Sequence, residues 1–599
     1  MWSWIIIPIC ALWFFINQCT GITSPITPFT QYKHSAELQV NVADLFWSVN
    51  DTKEEIIFEL HIKSTGWIAL GISPAGGMKG ADIAIMWVDS LGNVTLQDRY
   101  ASGESKPLID STTQDWFVLQ GREQNGWTAV QFKRLLDTCD TMDYPIKSGT
   151  NNLIFAYGLV DPDQSNGDIT YHDTRRGSRR IPLRSYNDPP SEDKFAGHES
   201  FEWRLNNYLV PSTDTTYHCK IHKAPPGFTT RRHAIAHKMI IDPSNVDLIH
   251  HLLLYECAPS TVFDDNNLPD GLCDDLYDQL DMCTSNLATG WAVGGDFMLE
   301  FPEQAGYPIG GDFPIKYYLI QMHYDNPKLQ SGRQDSSGIR FYVNNELRPQ
   351  ELGFLTFGTS SNTFALAIPP KVENFIVDSY CTANGSQNYP KDGITVTAAL
   401  PHTHLQGKTV WTKIIRNGVA EKYLFNGDAF DFNYQFNNLL SKPIKLYPGD
   451  AFATRCIYNT MNKNEVTWGG EKTKEEMCLH MFTYYPRMND MYMCGSINHP
   501  SAWQKMMNVS STPSKSAVRR WLSNITWTSE VANQWQEFYN TAPRRLFYGR
   551  SGDMQHEDLP ALPTYKDLPT EICQKSIGNK QTINIFLMFI FFFFKILNV

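Results

Sequence analysis

Apolar and polar positions alternate in short runs along most of this chain. Phe58, Leu60 and Ile62 are interleaved with Glu59, His61 and Lys63, the period of two of a half-buried strand. Gly66 ends that run, and Trp67 to Ile72 begins another. Ile83, Ile85 and Trp87 repeat the alternation, and Leu91-Gly92-Asn93 supplies a turn into Val94 to Leu96. Residues 35–165 therefore read as an antiparallel β-sandwich. The stretch that follows is rich in Arg, Pro, Ser and Asp, so 166–200 reads as a linker. Strand patterns resume near Met239 and recur to about residue 485. Long amphipathic helices are scarce, and 526–540 is the best candidate. No internal repeat is evident. The expected fold class is mainly β.

Two apolar runs bracket this pattern. Trp4 to Ile16 is too short to span a bilayer comfortably. Cys19 and Gly21 follow it, so 1–21 reads as a secretory signal peptide, although no Lys or Arg precedes the run. A retained short anchor is the alternative. Near the other end, Ile585 to Phe594 are continuously apolar, and the tail 583–599 is expected to attach the protein to a membrane. A single-pass segment with Lys595 snorkelling and a glycolipid-anchor signal near Ser576 and Gly578 both fit. A buried C-terminal helix is the competing reading.

Charge and cysteine usage narrow the function. Among 599 residues, 63 are acidic and 51 basic, for a net charge of -12. Nucleic acid is not the expected partner, because phosphate binding needs concentrated positive charge. The one evident basic cluster, Arg175, Arg176, Arg179 and Arg180, reads as a solvated loop. Of 12 cysteines, two fall in the presumed signal. The rest are Cys139, Cys219, Cys257, Cys273, Cys283, Cys381, Cys456, Cys478, Cys494 and Cys573. An even set in a secreted chain suggests disulfides, and no CxxC pair points to a zinc ribbon. Sequons at Asn50, Asn93, Asn384, Asn508 and Asn524 agree with glycosylation on the lumenal or extracellular side. No Gly-rich phosphate loop, HExxH or GxSxG appears, which argues against kinase, metalloprotease and α/β-hydrolase readings.

Histidines carry the candidate chemistry. His250-His251 lies between Val246 to Ile249 and Leu252 to Leu254. Burying two adjacent imidazoles costs free energy unless both find partners. Neighbouring strand residues face opposite ways, so both bind one metal only if the strand bends there. One core and one surface histidine is the alternative. His402-Thr403-His404 is the better local signal, since residues two apart on a strand share a face. Ile394, Val396, Ala398 and Leu400 have the same parity, so the histidines extend that inward face if the register survives Pro401. The pair suits zinc, copper or nickel alike. His233 and His237 lie in a strand-like run and read as structural or supporting.

Ordered phrases then make a family visible. They are His250-His251, Trp291-Ala292-Val293-Gly294-Gly295, Phe301-Pro302-Glu303-Gln304-Ala305-Gly306 and Met322-His323-Tyr324-Asp325-Asn326-Pro327. Asp335 to Arg340, Ala367 to Pro370, His402 to Leu405, Tyr458-Asn459-Thr460 and Glu476-Met477-Cys478 continue the series. Together they resemble the copper type II, ascorbate-dependent monooxygenases, the group that includes dopamine β-hydroxylase. Gly66 to Ile72 resembles a phrase of the DOMON domain that precedes the catalytic unit in that group. The DOMON-like region shows no evident His/Met pair for haem and reads as a ligand or interaction module.

The resemblance implies two copper-binding β-sandwich (jelly-roll-like) lobes, 201–345 and 346–525, followed by an extension, 526–582. It implies that His250, His251 and His323 hold an electron-transfer copper, and that His402, His404 and Met477 hold an oxygen-activating copper. Alone, Met477 reads as a core methionine; a thioether is soft and favours Cu(I). The implied disulfides are Cys139–Cys573, Cys219–Cys273, Cys257–Cys283, Cys381–Cys494 and Cys456–Cys478. The implied activity hydroxylates an activated C–H bond of a small molecule, phenylethylamine-like by resemblance, with O2 and ascorbate. Two departures stand out: a further Cys that relatives carry shortly after the Cys381 position is absent, and Asp325 replaces a histidine beside the three-histidine site. The second puts an inherited substrate preference in doubt. The rival function is a catalytically inactive, anchored glycoprotein that binds copper or a partner. Nothing in the sequence indicates the oligomeric state.

Overall fold

The computed structural model describes residues 22–163, 167–344 and 346–569. The expected signal peptide, the 583–599 tail and the Cys139–Cys573 pairing lie outside the described residues. The architecture is mainly β, as expected.

The first body is a sandwich. Its five-stranded sheet runs His34–Gln39, Ala43–Asn50, Glu55–Ile62, Trp127–Leu135, Phe117–Gln124. Its six-stranded sheet runs Arg176–Ile181, Asn151–Tyr157, Ile68–Ser73, Ala81–Val88, Val94–Ala101, Leu108–Ile109. Phe58, Leu60 and Ile62 point into the shared core with Ile68, Leu70 and Met86. The strand is not half-exposed, however. Glu59 and His61 on its outer face are also buried, because the N-terminal segment lies over them. Phe29 N–H donates to Glu59 (2.9 Å), and His61 meets Glu59 (2.7 Å) and Ser24 (2.8 Å).

Three of the four clustered arginines, Arg176, Arg179 and Arg180, lie on a strand and not in a loop; Arg175 immediately precedes it. Arg176–Ile181 pairs antiparallel with Asn151–Tyr157, and Arg179 donates to the Glu37 carbonyl. Its charges sit on the outermost strand of the sheet, where they discourage further strand pairing. Part of the segment read as a linker thus completes the sandwich.

Two more sandwiches follow. In the N-terminal lobe, β1 (Thr215–Lys223), β2 (Ile249–Glu256), β3 (Leu287–Ala292) and β4 (Tyr317–Asp325) lie in the spatial order β1, β4, β2, β3. Leu252, Leu254, Ile320 and Met322 form its core with Tyr307 and Phe341 of the second sheet. In the C-terminal lobe, β5 (Ile394–His402) lies beside β6 (Leu479–Tyr485) within a seven-stranded sheet. Val396, Ala399, Phe452, Phe482 and Tyr484 fill the space beneath it. Disulfides join Cys219–Cys273 and Cys257–Cys283 in the first lobe, and Cys381–Cys494 and Cys456–Cys478 in the second.

The described part of 526–582 is built into the second lobe. The amphipathic pattern at 526–540 forms the helix Ser529–Thr541, and its Trp535, Phe538 and Tyr539 join a core cluster. Arg544–Arg550 and Asp553–Leu559 then add the last two strands of the seven-stranded sheet.

A buried ion pair fastens the lobes together. Glu256 at the end of β2 accepts from Arg487 (2.5 and 3.1 Å), Tyr492 (2.5 Å) and Tyr307 (2.7 Å). Arg487 also donates to the Leu352 carbonyl (3.3 Å). Removing one partner would leave the other charge dry and unpaired. Arg487→Met is therefore expected to lose about 3–5 kcal/mol of stability. The double variant with Glu256→Gln should lose less. Thermal and urea unfolding of both variants check this, and a single variant as stable as the parent would refute it.

Candidate metal centres

The first cluster depends on a fault in strand pairing. Along β2 and β4, Ile249 faces Tyr324 while His251 faces His323, so His250 is an extra residue. Such a bulge bends the strand and re-aims a side chain. This is the bend that two adjacent histidines need to share a site. Ring nitrogens of His250, His251 and His323 all lie within 4.8 Å of one another. The Nδ1 atoms of His250 and His251 are 3.2 Å apart. That is the spacing of two nitrogens each about 2 Å from one metal ion.

Burial sets the charge of these rings. It pushes His250 down to about 3, with His402 nearby adding to the effect. Burial likewise drives His251 and His323 well below the ordinary histidine range, reinforced by neighbouring histidines. Neutral rings keep lone pairs available. Tyr217 stacks on His323 at 4.3 Å, and the Thr473 hydroxyl lies 3.2 Å from His323 Nε2.

The second cluster sits at the end of β5, and the expected parity does not hold. A register shift between Val396 and Ala398 reverses the strand's faces. Ile394, Val396 and Ala399 point into the lobe core. Ala398, Leu400 and His402 instead share the opposite face, where Leu400 and Met481 meet Leu287 and Leu299 of the first lobe. Pro401 itself is accommodated opposite His480. The bulge thus turns His402 toward the other lobe.

Hydrogen bonds select the tautomers here. His402 Nδ1 is 2.7 Å from Gln435 Oε1, and Gln435 Nε2 donates to the Phe432 carbonyl (2.8 Å). The amide oxygen therefore accepts, His402 carries its proton on Nδ1, and Nε2 is left with a free lone pair. His404 Nδ1 donates to the Glu475 carbonyl (3.0 Å), with the same result. Burial lowers both histidines, His404 strongly. Their rings lie 5.3 Å apart and nearly perpendicular.

Glu476 ties this turn to Met477. Its carboxyl accepts backbone N–H from His404 (2.8 Å), Gln406 (2.6 Å) and Met477 (3.3 Å). Burial raises it to about 8 against the pull of those donors. Tyr458 donates to the Met477 carbonyl (2.6 Å), and the Cys456–Cys478 bridge anchors the next residue.

The two clusters meet across the lobe contact. The rings of His251 and His402 lie 6.2 Å apart. Phe432 stacks on His250 at 4.3 Å and stands edge-on to His404 at 6.0 Å. Gly294, at φ +80°, permits this approach: a Cβ there would sit 2.0 Å from the Asn433 carbonyl oxygen. Gln435, Phe432 and Tyr217 escaped the sequence reading, because nothing in their local pattern marks them. Glu476 carried a signal, its place beside Met477. His233 and His237 serve elsewhere, accepting from Arg348 N–H (3.0 Å) and meeting Thr289 (3.0 Å). Asp325 ends β4 half-buried, its carboxyl raised by burial and lowered in part by Lys474.

The residues fit metal ions. Nε2 of His402 and His404, and Nδ1 of His323, are buried with no hydrogen-bond partner, and the Nδ1 atoms of His250 and His251 face each other alone. Such lone pairs are costly unless a cation takes them. Imidazoles with a thioether form a donor set suited to copper.

Two β-sandwich lobes that bring neutral histidines to their shared face define a histidine-rich candidate metal site. Residues 201–331 and 351–507 match the N-terminal and C-terminal domains of copper type II ascorbate-dependent monooxygenase, and 41–158 match the DOMON domain. The chain is 30% identical over 555 residues to dopamine beta-hydroxylase of Homo sapiens, covering 89% of this chain and 88% of that protein. It is 33% identical over 473 residues to dopamine beta-hydroxylase of Canis lupus familiaris, covering 78% and 73%. It is 32% identical over 460 residues to DBH-like monooxygenase protein 1 of Homo sapiens, covering 76% and 73%. The chain belongs to the copper type II ascorbate-dependent monooxygenase family.

Separate clusters predict separate losses. Met477→Ala should bind about one copper per chain, held by His250, His251 and His323; His251→Ala should keep the other copper. Metal analysis of the two purified variants checks this. Loss of both coppers from either variant would show that the clusters are one site.

Proposed function

We propose that this protein is a dicopper monooxygenase that hydroxylates an activated C–H bond of a small organic substrate. The observation that carries the reading is the set of five buried, neutral imidazoles, each with one ring nitrogen lacking a hydrogen-bond partner, converging where the lobes meet. His250, His251 and His323 would hold one copper; His402, His404 and Met477 would hold the second. When bound, copper supplies one-electron redox chemistry toward ascorbate and O2.

The electron balance is that of a monooxygenase. The substrate C–H bond gives up two electrons and ascorbate two. O2 accepts all four; one oxygen atom enters the product and the other leaves as water, its protons drawn from ascorbate and solvent.

The chain's own part is placement. Gln435 and the Glu475 carbonyl hold His402 and His404 with Nε2 aimed away from their hydrogen bonds. Met477 adds a soft ligand that favours the reduced metal. Phe432 and Tyr217 pack against the rings and exclude water. Leu287, Leu299, Leu400 and Met481 line a cavity of about 40 Å³ between the lobes. Leu400 lies two strand residues, about 7 Å, from His402. The cavity has room for a few water molecules at most. A phenylethylamine-like substrate is proposed from the family relatives.

We place the protein in the secretory pathway, on the lumenal or extracellular side. Four disulfides and the exposure of Asn50, Asn93, Asn384, Asn508 and Asn524 support disulfide formation and glycosylation there. Among the described residues no helix is long and apolar enough to cross a membrane. The proposed membrane attachment rests on the tail sequence.

Copper-loaded protein should consume O2 with ascorbate and yield a product one oxygen atom heavier. His402→Ala should lose this activity by at least about 10²-fold, since it removes a ligand of one centre. An oxygen electrode with product mass spectrometry reads both. Copper binding without hydroxylation across a broad substrate panel would favour the copper-binding glycoprotein instead.

A further inference from the structure

The segment 428–438 delivers both Phe432 and Gln435 to the histidine clusters, yet it has little regular structure of its own. Its own lobe bonds it through Lys408 and Thr409, and contacts from outside that lobe also hold it. The N-terminal sandwich and the chain leaving it supply several of them. Thr150 N–H donates to the Ala429 carbonyl (2.8 Å), and Ala429 N–H donates to the Ser148 carbonyl (3.0 Å). The Thr150 hydroxyl donates to the Tyr434 carbonyl (3.3 Å). Arg180, from the edge strand of the sandwich, lies 4.8 Å over the Tyr434 ring. Ser185 donates to Asn438 Oδ1 (2.7 Å) and accepts from Leu439 N–H (3.0 Å). These contacts grip the segment at its start, middle and end.

Gly149 makes the first grip possible. Its φ is +100°, and a Cβ there would lie 2.1 Å from the Ala429 carbonyl oxygen. The two backbones touch at a distance that admits no side chain. Six residues beyond Ala429, Gln435 makes the 2.7 Å contact that fixes the His402 tautomer.

We propose that the DOMON-like sandwich is a positioning element for the His402/His404/Met477 centre, acting through Gly149, Thr150 and Ser185 on the segment 428–438. The sandwich touches neither histidine cluster's ligands in this scheme. It sets where Gln435 and Phe432 stand, and so the orientation of His402 and the packing over His250. Partners of this outer kind typically change metal affinity by about 10–100-fold when removed. The inference rests on the copper reading of the site, but it needs no turnover.

The test compares two glycines of the same sandwich. Gly126 also has positive φ, +77°, but nothing lies within 4 Å of its Cβ position. In a His251→Ala background, Gly149→Ala should weaken copper binding at the remaining centre by about tenfold or more and alter its Cu(II) electron paramagnetic resonance spectrum. Gly126→Ala should change neither. Equal affinity and an unchanged spectrum for both would overturn the proposal. Should Gly149→Ala not fold, Thr150→Val with Ser185→Ala removes hydrogen bonds without a clash. Hydrogen exchange should then quicken at the amides of 430–438, and exchange at the parent rate there would overturn the proposal equally. A parent that binds copper but hydroxylates nothing sinks the proposed activity and leaves this inference standing.

Discussion

Five imidazole rings are held out of water where two β-sandwich lobes press together, and most of the structure answers to that constraint. Desolvation keeps the rings neutral, which suits metal ligation and opposes protonation. It also makes every unpartnered nitrogen expensive. One nitrogen on His402 and one on His404 are spoken for by Gln435 and the Glu475 carbonyl, so the remaining lone pairs are fixed in direction. The cost of leaving those lone pairs bare is what a bound cation offsets.

Two strand irregularities create this arrangement. The bulge at His250 lets consecutive residues serve one site, and the shift between Val396 and Ala398 turns His402 from its own core toward the neighbouring lobe. Without the first, His250 and His251 would face opposite sides. Without the second, His402 would be a core residue. Contact between the lobes is then secured by the buried Glu256–Arg487 pair and by the bare backbone at Gly294.

Much of this was legible in the residues, and the gaps have physical causes. Alternation at Phe58, Leu60 and Ile62 announced a sandwich because side-chain period is local. The covering of Glu59 and His61 was not legible, since it depends on a segment some 30 residues away folding back. Likewise Arg176–Ile181 lacks apolar alternation, and only its pairing with Asn151–Tyr157 makes it a strand. Period counting placed His402 on the inward face because a bulge leaves no mark in the hydrophobic pattern. The helix near 526–540 was visible, but its membership of the second lobe was not. Gln435 and Phe432 lie in a loop whose position is set by three different bodies, so no local spacing reveals them. Family resemblance implies the His and Met set; it does not supply the partners that orient the histidines.

The two histidine clusters face each other across the lobe contact. Electron paramagnetic resonance of the protein with both centres in the Cu(II) state tests this most directly. Rings of His251 and His402 lying 6.2 Å apart lead us to expect magnetically coupled ions. Emptying either centre should convert that spectrum to a simple mononuclear one. Two independent signals, each unchanged when the other centre is emptied, would contradict the arrangement described here.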